Sequence, residues 1–165
     1  MKAFYKPFLI ASFFLLSINE AETQTTLEKL NQIELIKQFI GTWKCEFGKD
    51  TIMIGEITPF GTGLVANSQI IANGKTLESV KQLYGYEAKT DKFIVAELIE
   101  SSPIIEICTT WFTSKNTGEM IVTNPDNVPL QYKFEFKTPD IVVQTAIKDN
   151  KVIKEIILTR IKTNK

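Results

Sequence analysis

The chain has 165 residues, 44% hydrophobic and 23% charged, and its 19 basic residues balance 19 acidic ones. This size fits one domain with a core large enough to fold without staples, and the charge balance excludes an electrostatic nucleic-acid binder, which needs a basic excess. The complete absence of histidine excludes Ser-His-Asp and Cys-His catalysis, histidine-ligated haem and the usual Cys/His zinc centres, for which two cysteines are too few.

The N-terminus reads as a secretory signal peptide over residues 1–21. Lys2 and Lys6 give a positive start, and Phe8 to Ile18 is an apolar run broken only by Ser12 and Ser17. That run is too short for a final membrane span. Cleavage after Ala21 leaves a mature chain with one net negative charge, and no cysteine follows the run to take a lipid anchor. The alternative is an uncleaved N-terminal anchor. Export places the protein in the periplasm or outside the cell.

Residues 25–40 carry a helical pattern. Thr25 and Glu28 form a capping box, and Leu27, Leu30, Ile33, Ile36 and Ile40 recur at three- or four-residue spacing before Gly41 stops the helix. From Thr42 onward the chain reads as strand. Expected strands are 42–48, 51–58, 63–72, 75–86, 92–99, 104–113, 119–123, 130–137, 140–147 and 151–161. The clearest runs from Leu130 to Lys137, where every second residue is apolar. Asn73-Gly74 is the strongest hairpin turn, and 89–92, 116–119 and 148–151 mark others. Gly61-Thr62-Gly63 lacks the spacing of a phosphate loop and reads as a strand start. Ten short antiparallel strands favour an all-β meander closed into a barrel, because closure removes exposed edges. A two-sheet sandwich is the competing architecture. Residues 22–165 form one domain without linker or repeat.

Gly41-Thr42-Trp43 opens the first strand, and Arg160, the only arginine, lies in the last. This pair resembles the lipocalin (calycin) signature, and the resemblance implies a guanidinium packed over the indole at the barrel floor and an N-terminal helix, here the one leading into Gly41-Thr42-Trp43, capping that end of the barrel. The stretches Gly85-Tyr86-Glu87-Ala88-Lys89-Thr90-Asp91-Lys92-Phe93 and Glu100-Ser101-Ser102-Pro103 resemble a bacterial lipocalin-like family without an agreed activity, over roughly residues 35–161. Two departures are Glu87 in place of the family's Asp and Glu97 where an aromatic residue is common. The resemblance implies architecture more than chemistry.

Gln82, Tyr84, Phe93, Glu97, Trp111 and Tyr132 are candidate ligand-lining residues, since small-molecule sites are mostly apolar with a few polar groups. Ordinary core packing is the other reading of the aromatic members. Glu97 has two readings. It shares a parity with Phe93, Val95 and Ile99, which would turn it inward, whereas Ile94, Ala96 and Leu98 on the other parity form an equally apolar face and would leave it wet, the commoner fate of a charged residue. Glu97 and Glu106 are the only acid pair of catalytic interest, with Tyr84 or Tyr132 as partner. Cys45 and Cys108 are either a disulfide or two small core residues, and their strands lie far apart in a meander. No cofactor and no metal is expected. The leading functional expectation is an exported, monomeric binder of a small hydrophobic or amphipathic molecule. The alternatives are a small enzyme using Glu97 or Glu106, and a packed barrel that acts as an interaction or structural protein.

Overall fold

A computed structural model describes residues 29–125 and 130–162. The signal-peptide segment, the Thr25–Glu28 capping box and Leu27 lie outside these residues. Turn chemistry divides the chain into ten strands: β1 (Gly41–Glu46), β2 (Thr51–Phe60), β3 (Gly63–Ala72), β4 (Lys75–Glu87), β5 (Lys92–Ile99), β6 (Ile105–Phe112), β7 (Thr117–Asn124), β8 (Leu130–Thr138), β9 (Ile141–Lys148) and β10 (Lys151–Ile161). Each pairs antiparallel with the next, and β1 pairs with β10, so the sheet closes into a barrel. The sandwich alternative is thereby excluded. Asn73 and Gly74 both adopt positive φ (50° and 74°), as do Asp149 and Asn150 (50° and 60°), which is the backbone that two-residue hairpins between right-twisted strands require.

The helical segment is shorter than its apolar spacing predicts. Helix α1 spans Gln32–Ile36, followed by a 3-10 turn at Lys37–Phe39. Asn31 caps it, its side chain accepting from the Glu34 amide at 3.2 Å. An Asn side chain satisfies an orphan helical N–H and so favours a start at that point. The pattern at Leu30, Ile33, Ile36 and Ile40 reflects contact with the barrel floor, not one continuous helix. Gln32 pins the helix to β6: its amide donates to the Phe112 carbonyl at 3.0 Å, and its carbonyl accepts from the Phe112 N–H at 2.8 Å. Gly41 does not cap the helix. It is the first residue of β1, at φ 131°, with the Arg160 guanidinium where a Cβ would stand.

The turn expected at 116–119 falls earlier. The Ser114 hydroxyl accepts from the amides of Asn116 and Thr117, and β7 already includes Gly118. Gly118 belongs to the strand because the Phe134 ring occupies the space its side chain would need. Both cysteines are free and buried, Cys45 beside Met53 and Leu158, Cys108 beside Val95 and Val122.

Candidate functional site

The barrel interior has two parts. At the helix end, Phe93, Phe112, Phe134, Phe136, Trp43, Leu64, Val142 and Ile36 form one buried cluster, joined by Phe39 and Tyr86. Phe39 meets Phe134 and Phe136 edge-on at 5.3 and 4.9 Å between ring centroids. Trp43 and Arg160 are register partners on β1 and β10. The guanidinium carbon lies 4.1 Å from the indole centroid. Its nitrogens donate to the carbonyls of Ile40, Gln38 (2.8 Å) and Pro139 (3.0 and 3.1 Å) and approach Asp140 at 3.3 Å. The indole N–H donates to the Phe39 carbonyl at 2.7 Å. Both side chains are spent on closing this end and have nothing left for a ligand.

At the other end the same strands turn polar. Strand β5 settles the two readings of Glu97. Phe93 and Val95 are 0% and 1% exposed while Ile94 and Leu98 are 36% and 48% exposed, so Glu97 shares the inward parity. The wet-face arrangement is overturned because β5 is apolar on both faces, and burial follows from barrel closure instead of from alternation. Glu97 is the register partner of Gln82 on β4 and of Glu106 on β6. Such facing positions hold Cβ atoms about 4.5–5.5 Å apart. The Gln82 amide donates to a Glu97 carboxylate oxygen, and the Gln82 carbonyl accepts from the Tyr84 hydroxyl at 2.9 Å. Tyr132, on β8, packs with Tyr84, Met120 and Leu130 against the buried Val95, Cys108 and Val122.

Four of the six candidate residues thus converge: Gln82, Tyr84, Glu97 and Tyr132. Phe93 does not join them, since it lies in the floor against Tyr86, with ring centroids 5.4 Å apart. Trp111 faces outward. Its neighbours Thr110 and Phe112 are each 2% exposed, and the Lys92 ammonium sits 3.6 Å from its ring centroid on the outer surface. Sequence reading missed Lys154, which shares the inward parity of Ile156 and Leu158 and rests 4.4 Å from the Phe47 ring. The bulge at Val152/Lys154 breaks the alternation that would have revealed it.

The electrostatics follow from this enclosure. Burial raises the Glu97 carboxyl above the ordinary glutamate value; the Gln82 hydrogen bond opposes that shift and the Glu106 charge adds to it. Burial pushes the Tyr84 phenol far up, and the Tyr132 phenol to about 12, with Glu97 adding to both. Burial likewise raises the Cys108 thiol to about 11. These phenols and the thiol are therefore neutral at physiological pH and act as hydrogen-bond donors, not bases. Tyr84, Gln82, Glu97, Glu106 and Tyr132 each keep part of their surface accessible. Tyr84 is deep enough for burial to dominate its acidity, and its side chain is still partly accessible. Among the described residues no group of three or more potential metal ligands occurs. A surface groove of about 560 Å³ lies elsewhere, along the charged outer faces of β7 to β10, and includes Glu119, Lys133, Glu135 and Glu155. No protein-family model matches the chain, and no curated protein is similar to it.

Proposed function

We propose that this is an exported lipocalin-like protein that holds a small hydrophobic or amphipathic molecule in the open half of its barrel. The observation that carries the reading is the interior wall of Gln82, Tyr84, Glu97 and Tyr132, polar, still accessible, and backed by Val95 and Val122. A mostly apolar recess with a few convergent polar groups is the usual form of a small-molecule site. The Trp43–Arg160 closure and the antiparallel barrel support the lipocalin likeness, and the apolar N-terminal run supports export.

Enzyme chemistry has one supporting observation, the hydrogen-bonded line from Tyr84 through Gln82 to Glu97. Glu97 would be the base there, since its raised pKa suits a general base better than an ordinary carboxylate and Tyr84 keeps its proton. Binding remains the better reading, because that line needs no reaction to explain it. Native mass spectrometry of protein isolated from its own source tests the proposal. A bound mass that denaturation releases supports it. A consistently empty protein that also gives no saturable heat with long-chain amphiphiles of either charge refutes it.

A further inference from the structure

Glu97 and Glu106 stand directly opposite each other on adjacent antiparallel strands, both turned inward. Like charges in facing positions destabilise a sheet, and an enclosed, partly dry site strengthens the repulsion. Ordinarily a fold relieves such a pair with a lysine or arginine. Among the described residues none lies within ion-pair distance of either carboxylate. Gln82 gives Glu97 one neutral donor and, with its carbonyl already taken by Tyr84, is held in that orientation. The Tyr132 hydroxyl has no protein hydrogen-bond partner among the described residues. Below this polar ring the wall becomes apolar at Val95 and Val122.

We propose that the open half of the barrel selects a protonated hydrophobic amine, with its ammonium between Glu97 and Glu106 and its apolar body against Val95, Val122, Tyr84 and Tyr132. This rests on the ligand-binding reading and names the ligand class. An ammonium supplies the charge the carboxylate pair lacks and carries up to three donors, enough for both carboxylates and the Tyr132 oxygen. The tyrosine faces add attraction for a cation. A fatty acid would place a third negative charge beside two others. Lys154, which shares the inward parity on β10, is exposed, rests against the Phe47 ring and makes no ion pair with either carboxylate. Tyr84, Tyr132 and Cys108 are neutral and do not compete.

Calorimetric titration of the purified protein with decylamine, 1-decanol and decanoate, all below micellar concentration, tests the class. The expected result is decylamine tighter than decanol by about tenfold or more, with decanoate weakest. Glu97→Gln, Glu106→Gln and the double variant narrow the amine-over-alcohol ratio at unchanged side-chain volume, the double variant most. Amine binding also weakens as pH falls, from a point above the ordinary glutamate value of 4.5, because Glu97 takes up a proton early. If decanol or decanoate binds as tightly as decylamine to the unmodified protein, the amine proposal is overturned while the binding reading stands. If none of the three binds, the amine proposal falls, and the binding reading falls with it when protein isolated from its own source is also consistently empty. The comparison on unmodified protein does not depend on any variant folding.

Discussion

Strands β4, β5, β6 and β8 each cross both halves of the barrel, and their inward residues change character in the same direction. From floor to mouth, β4 presents Tyr86, Tyr84 and Gln82, β5 presents Phe93, Val95 and Glu97, β6 presents Phe112, Thr110, Cys108 and Glu106, and β8 presents Phe136, Phe134 and Tyr132. The floor is aromatic, buried and cross-braced to α1, whereas the mouth is polar and accessible. The difference separates two jobs along one set of strands. Stability is concentrated where phenylalanines interlock, so the other end is free to carry carboxylates that a packed core would not accept.

The comparison is broken most directly by removing a floor ring. Phe112 is 2% exposed, meets Phe134 edge-on at 5.1 Å and stacks with Phe136 at 6.2 Å, while its backbone anchors Gln32. Phe112→Ala should cost about 3–5 kcal/mol, the usual range for a buried phenylalanine. Tyr132→Phe at the mouth removes a hydroxyl without a protein partner and should change stability by no more than about 0.5 kcal/mol. Urea unfolding of both variants measures the contrast, and comparable losses would mean the halves are not energetically distinct.

Arg160 gives the next largest effect. Its guanidinium ties the last strand to the end of the 3-10 turn through Gln38 and Ile40 while covering Trp43. Arg160→Ala should cost about 1–3 kcal/mol, because the carbonyls lose their donors and the indole its cover, and Arg160→Lys should recover only part. Neither change should alter the affinity of a ligand held at the mouth. Chemical denaturation reads the first effect and ligand titration the second.

Glu97 sharpens the comparison through pH. Its folded-state pKa is raised, so the folded protein holds this proton more tightly than the unfolded chain. The ionised carboxylate therefore costs stability at neutral pH. The cost is relieved as pH falls through the raised folded value and is fully gone below the ordinary value of 4.5. Glu97→Gln should be as stable as the unmodified protein or more so at neutral pH, by on the order of 1 kcal/mol, and the difference should vanish in acid. Melting curves of the two proteins across that interval check the sign. A variant less stable at neutral pH than in acid, relative to the unmodified protein, would contradict it.

Much of the fold was legible because two local signals agreed. The Asn73-Gly74 and Asp149-Asn150 turns fix hairpins by backbone conformation, and β8 alternates so cleanly that Tyr132, Phe134 and Phe136 all face inward as their parity requires. The site was legible only in part. In β5 and β6 the outward positions are also apolar, with Leu98 48% and Ile105 49% exposed, so period two carries no information about which face is inside. Glu97 could therefore be read either way, and Trp111 was placed on the wrong side. The neighbouring strands decide the matter through register, which depends on closure of the whole sheet. The early start expected for α1 has a different cause: apolar spacing records contact with the floor, while Asn31 decides where the helix begins.

The smallest expected effect concerns Trp111, which separates a wall residue from its outward neighbour. Lys92 covers its ring at 3.6 Å, an exposed cation–π contact of about 0.5–1 kcal/mol. Lys92→Ala should lower stability by no more than that. Trp111→Phe should remove the more exposed of the two tryptophan emissions, since Trp43 is 4% exposed and enclosed in the floor. If the ligand occupies the interior, Trp111→Phe leaves its affinity unchanged within about twofold, whereas Tyr132→Phe weakens an amine that uses the free phenol oxygen. Titrating one amphiphile into both variants reads the contrast. A loss confined to Trp111→Phe would move binding to the outer surface, where Leu83, Ile94 and Leu98 are also exposed, and would leave the acidic mouth without a ligand.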